Sequence, residues 1–148
     1  MLLDRLCGVA FHSIHLSLQV ARSRTKAWST SDLKLAIAHF CDFGVEAHAI
    51  LHRSHTHRSG IQQLIADGQA SLTPSGAYDD AFLIEYARGR PHVWVCSCDL
   101  YRDFDLGDVA RRKIMYAWIC GEFTPDAQGM DGLRRAISNS KETHAREE

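Results

Sequence analysis

The stretch PHVWVCSCDLYRDF (residues 91–104) decides how this chain folds. From His92 to Cys98 it is a continuous β-prone run, bounded on one side by Pro91. A strand that stays apolar instead of alternating is buried on both faces, as in a parallel sheet covered by helices. The run stops at Asp99, and a second carboxylate, Asp103, follows four residues later. Functional groups in open parallel sheets gather beyond the carboxyl ends of the strands, so Asp99 is expected at such an end. If the chain turns helical after Cys98, Asp103 shares a helix face with it.

Working outward, helices alternate with strands. Ser29 or Thr30 can cap a helix that Asp32 helps to start, with Leu33, Ala36, Ile37 and Phe40 on one buried face and Gly44 ending it. VEAHAIL (45–51) follows at once and alternates as a strand does. Gln62, Leu64, Ile65 and Ala66 form a second helix up to Gly68, and SLTPSG (71–76) reads as a short strand broken by Pro74. Asp79 and Asp80 open a third helix, where the helix dipole favours acidic residues, and Phe82, Leu83, Tyr86 and Ala87 face inward. After the opening strand come a polar helix with Val109, Ile114 and Met115, one more strand in MYAWICGEF (115–123), and a polar tail from 138 to 148 expected to fray. This alternation predicts a three-layer α/β/α sandwich around a mainly parallel central sheet.

With 148 residues, 45% of them hydrophobic, the chain is expected to form one domain over residues 1–137. A formal net charge of -1 gives the whole molecule no attraction for polyanions, so a nucleic-acid partner needs a local basic patch. Two regions supply basic residues: Arg22, Arg24 and Lys26, and the run from His52 to Arg58, which also reads as an ordinary solvated loop. His52, His55 and His57 in that run are a weak zinc pattern without a cysteine nearby. The five cysteines form no recognisable metal or disulfide framework and are expected to be structural thiols in a reducing compartment. No window is apolar enough for a membrane helix, so no membrane partner is expected. The absence of acidic residues from Arg5 to Ser31 makes residues 1–28 either a divergent first strand or a transit segment, giving a cytoplasmic location or, alternatively, a mitochondrial or other organellar one.

Converging carboxylates need a cation or must take up protons, because two unit charges about 4 Å apart repel by roughly 4 kcal/mol at an effective dielectric near 20. Asp79, Asp80, Asp99 and Asp103 suit Mg2+ or Mn2+, which are held by one or two carboxylates while waters and substrate phosphates complete the shell. The alternative is that the first pair caps a helix and the second decorates a loop.

The elements SLTPSG, YDDAFLIEYA, VWVCSCDLYRDF and YAWICGEFTPD resemble, in order and approximate spacing, those of the NYN/PIN-like ribonucleases of the Regnase type. That family has an L-T-P element, a D-D-R-F-like helix start, a strand ending in S-N-D-N-[YF]-R-[DE], and a strand with F-x-P-D. WSTSDLKLAIAHF resembles its first long helix, and the likeness covers about residues 28–133. The resemblance implies a PIN-like fold. It makes Asp80 and Asp99 the metal-holding pair, with Asp79 and Asp103 as acidic neighbours and Tyr101 and Arg102 in the adjoining loop.

The family's first strand ends in D-G-[ST]-N-V-A, whose Asp joins the metal cluster. The nearest text here is LLDRLCGVA (2–10), which makes Asp4 the nearest acidic match and leaves residues 9–28 longer than the family's. Cys98 also replaces the Asn before the second acidic motif, and a thiol lacks the amide's donor and acceptor. The implied activity is metal-dependent endonucleolytic hydrolysis of single-stranded or stem-loop RNA, with Arg102, Arg53 and Arg58 on phosphate. The competing expectation, from the altered first motif, is a catalytically degenerate PIN-like domain that binds RNA or assembles into a homodimer or larger complex.

Overall fold

The fold is taken from a computed structural model that describes residues 12–74 and 79–147, with the side chains of Asp79, His144 and Glu147 outside that description. Strands β1 (Ser13–Ser17), β2 (Glu46–Leu51), β3 (Ala70–Leu72), β4 (Val93–Cys96) and β5 (Lys113–Ile114) form one sheet in the order β3-β2-β1-β4-β5. Every pairing in it is parallel. Helices α1 (Thr30–Phe43), α2 (Ile61–Ala66), α3 (Asp79–Ala87) and α4 (Ala127–Glu147) cover it, and β6 (Tyr116–Ile119) with β7 (Glu122–Pro125) makes a separate antiparallel hairpin. The expected α/β/α sandwich is what the chain forms.

Period-two alternation sorts the strand residues into two cores. Ile14, Leu16, Ala47, Ala49, Leu51, Trp94, Cys96 and Ile114 pack with α1, α2, α4 and the hairpin. Ile50, Val93 and Val95 pack with Leu83, Ile84 and Ala87 of α3, and with Tyr101 and Val109. The α1 face is the one the sequence shows: Leu33, Ala36, Ile37 and Phe40 are buried, the Ser29 hydroxyl accepts from Asp32 N, and Gly44 ends the helix at φ +97°.

Five sequence expectations give way. The central strand is Ser13–Ser17, inside the stretch 9–28 read as longer than the family's and beyond the LLDRLCGVA that the resemblance matched to the first motif, while Asp4 lies outside the described residues. His15 and Ser17 on its second face hide the apolar pattern. Residues 97–106 are not helical, because the Asp99 carboxylate accepts from Tyr101 N at 2.7 Å and turns the chain there, with Tyr101 at φ +48°. A short 3-10 turn, Gly107–Arg112, replaces the expected polar helix. MYAWICGEF holds two strands joined at Cys120 (φ +51°) and Gly121 (φ +78°), the two left-handed positions of a tight hairpin turn. Helix α4 continues through the segment expected to fray, up to Glu147.

Two buried polar arrangements brace the α3 side. The Arg112 guanidinium, 8% exposed, donates to the carbonyls of Ala87, Arg90 and Val93 and pairs with Asp108 at 2.6 Å. It thereby ties the end of α3 to the start of β4. His15 lies on Tyr86 at 4.9 Å between ring centroids and 5.7 Å from His48. Burial lowers the His15 pKa to about 4, with the charges of His48 and His92 pushing the same way.

Arg112→Met is expected to cost about 2–4 kcal/mol in urea unfolding, because three carbonyls lose their donor. The folded state binds fewer protons at His15 than the unfolded chain, whose histidine titrates near 6.5. Stability is therefore expected to fall as pH drops from about 6.5 towards 4, by about 2 kcal/mol between pH 7 and pH 5, and His15→Asn should flatten that slope in urea unfolding at the two pH values.

Candidate active site at the carboxyl edge of the sheet

The chain leaves β1 towards β2 and β3, then crosses back to place β4 on the other side of β1. The switch point of the sheet therefore lies between the carboxyl ends of β1 and β4, where an open parallel sheet leaves a crevice. Gln19 arrives there in the 3-10 turn after β1, and Asp99 arrives three residues after β4. Ser97, fully buried, donates to Gln19 Oε1 at 3.4 Å and accepts from Asp99 N at 3.1 Å. Gln19 Nε2 donates to Asp99 Oδ2 at 3.3 Å, and Tyr101 N donates to Oδ1. Both Asp99 oxygens are thus oriented by one donor each, and each retains a further lone pair.

Tyr101 is buried beneath this network, and its hydroxyl has no hydrogen-bond partner. Burial raises its pKa, and the charges of Asp80 and Asp99 add to the shift. Two carboxylates from different elements, α3 and the loop after β4, therefore act on one phenol. Lys113 brings an opposite charge, with its ammonium 5.3 Å from the Tyr101 ring centroid. Burial lowers the Lys113 pKa, while Asp99 and Cys98 pull it back up.

Asp80 is half-buried in the first turn of α3, and Asp79 starts that helix. Asp103 and Arg102 are exposed in the irregular segment after Asp99. Arg53 and Arg58 belong to the loop after β2, on the same edge of the sheet. The two basic regions of the sequence meet there around Trp28, with the Arg58 and Arg22 guanidinium carbons 5.1 and 6.0 Å from its ring centroid and His55 stacked at 4.7 Å. His55 is a buried aromatic partner in this arrangement, and the described residues contain no group of three histidine, cysteine or acidic side chains placed to hold a metal.

The donor chemistry fits magnesium or manganese in the form that takes one or two protein carboxylates and fills the rest of its shell with water and phosphate oxygens. Asp80 and Asp99 are the two carboxylates whose charges both reach the Tyr101 hydroxyl. The first strand adds no carboxylate. At its end Leu16 is fully buried, and Gln19 brings an amide there instead of a charge. The last motif residue, Asp126, accepts from Met115 N and Gly129 N, which makes it a brace between β5 and α4.

Sequence reasoning missed Gln19, Ser97 and Lys113. Ser97 stands two residues before Asp99 and was within reach of the sequence, whereas Gln19 and Lys113 carry no local signal because only strand pairing brings them to this edge.

No protein-family model matches the chain, and no curated protein sequence does. Among solved structures, it is similar to nuclear proteinaceous RNase P 2 from A. thaliana, with a TM-score of 0.61 and 18% identity over 78% of this chain. The chain spans 29% of the length of that protein. The parallel five-stranded sheet between helical layers, and this likeness in the path of the chain, give the protein a PIN-like α/β/α fold.

Proposed function

We propose that the protein is a metal-dependent endoribonuclease that hydrolyses phosphodiester bonds of single-stranded or stem-loop RNA. The observation that carries this reading is the placement of Asp99 at the switch point, oriented by Gln19 Nε2 and Tyr101 N and sharing the Tyr101 hydroxyl's surroundings with Asp80. An RNase P protein as structural neighbour supports RNA as the substrate class. Magnesium or manganese, held by Asp80 and Asp99, would offset charge on the scissile phosphate and lower the pKa of a bound water. Asp79 and Asp103 extend the acidic surface, while Arg102, Arg53 and Arg58 are the phosphate contacts. Lys113 limits the repulsion between the carboxylates.

A second reading rests on the first strand. With Leu16 and Gln19 at its end instead of a carboxylate, and Gln19 Nε2 already donating to Asp99, the scaffold also suits a module that binds RNA without cutting it.

Cleavage of a fluorescent single-stranded RNA, in manganese, magnesium and EDTA, separates the two. The nuclease reading predicts cleavage that needs the ion and falls at least about 100-fold in Asp99→Asn, with the melting temperature kept because the amide oxygen still accepts from Tyr101 N. An Asp99→Asn protein as fast as the parent would overturn it. Silence from both folded proteins, with RNA retained in a gel shift, would establish the binding module.

A further inference from the structure

Beside Asp99 opens a cleft of about 430 Å³ that the acidic site does not account for. It is lined by Ser23 and Arg24 from the loop before α1, by Cys98, and by Tyr116, Ala117, Trp118 and Gly121 of the hairpin. Its volume lies in the range of small-ligand sites. Cys98 is the residue preceding Asp99 and is held in the cleft wall by its Sγ–H donating to Tyr116 O at 3.0 Å. The cleft wall therefore includes the residue next in the chain to Asp99.

The lining is aromatic and cationic. Trp118 is fixed by Nε1 donating to the Ser23 hydroxyl at 2.7 Å and by an edge contact with Phe123 at 5.4 Å. The Arg24 guanidinium carbon lies 5.9 Å from the Trp118 ring centroid. Arg24 is itself held by Nε donating to the buried Asp32 carboxylate at 2.9 Å, a contact that spends one of its five N–H donors. Tyr116 is 8% exposed, and its hydroxyl has no hydrogen-bond partner. A buried hydroxyl without a partner is costly, and a polar ligand edge would remove that cost.

We propose that this cleft takes one unpaired nucleobase of an RNA strand whose neighbouring phosphate lies at Asp99. Trp118 stacks on the base, the Tyr116 hydroxyl bonds its polar edge, and Arg24 meets the base edge or the adjoining phosphate. A base can enter only if it is unstacked from its neighbours and unpaired, so the cleft selects single strands and loops over duplex RNA. The inference deepens the reading of the acidic site as an RNA-cutting centre, yet it concerns binding and stands apart from whether the phosphate is cleaved.

The test is fluorescence anisotropy of a labelled single-stranded RNA and of the same sequence as a duplex, in EDTA, alongside the cleavage assay. Trp118→Ala is expected to weaken single-strand binding about ten-fold and leave duplex binding unchanged, while Trp118→Phe restores most of the loss. Tyr116→Phe, which removes only the hydroxyl, should weaken single-strand binding by a few-fold. Parent-like single-strand binding by Trp118→Ala would overturn the inference, as would an equal loss on both RNAs. Should Trp118→Ala not fold, photocrosslinking of 4-thiouridine RNA to the parent protein decides: adducts within residues 98–121 support the cleft, and their absence overturns it. Tryptophan-dependent binding without metal-dependent cleavage would overturn the nuclease reading alone. Cleavage with binding indifferent to Trp118 would overturn the cleft alone.

Discussion

The structure depends on a requirement imposed on β1. This strand is paired on both edges, to β2 from Ser13 to Ser17 and to β4 from Ser13 to Leu16, and is covered on both faces. A backbone in that position has no access to water, so its N–H and C=O groups must be satisfied by its neighbours, which here run parallel to it. Parallel neighbours cannot be joined by tight turns, and each connection must pass over the sheet. The helical layers are the consequence, and so is the switch point where the crossovers change side.

From that arrangement follows the character of the site. Residues far apart in sequence, Gln19, Asp80, Asp99 and Lys113, meet because they leave strands or enter helices at the same edge. Asp99 is oriented twice, by a backbone amide that also turns the loop and by a side-chain amide tethered to buried Ser97. An orientation shared between folding and chemistry resists drift, since freeing the carboxylate would also unmake the turn.

The sequence was most legible where one physical rule governed a segment. Helix α1 shows its cap, its apolar face and its glycine stop in consecutive residues, and the Val93–Cys96 strand shows its double burial. Legibility failed where two rules competed. In β1, His15 and Ser17 interrupt the apolar run, so the strand at the centre of the sheet was not picked out. After Cys98, the four-residue spacing of Asp99 and Asp103 suggested a helix, but a side chain that captures the amide two residues ahead competes with helical hydrogen bonding. The acidic residues of the site were visible. Their distant polar partners were not, because Gln19 and Lys113 reach this edge only through the pairing of β4 with β1 and β5.

The two outer strands of the sheet are three and two residues long. An outer strand long enough to leave a row of free amides and carbonyls is a template on which another chain can extend the sheet. Here β3 stops before Pro74, which has no amide hydrogen to offer, and the residues after β5 turn away into the hairpin. The main sheet thus offers little backbone for a neighbour to join. Copies of this protein that come together would do so through side chains on helices, loops or the hairpin, where single substitutions can tune the contact without disturbing the sheet.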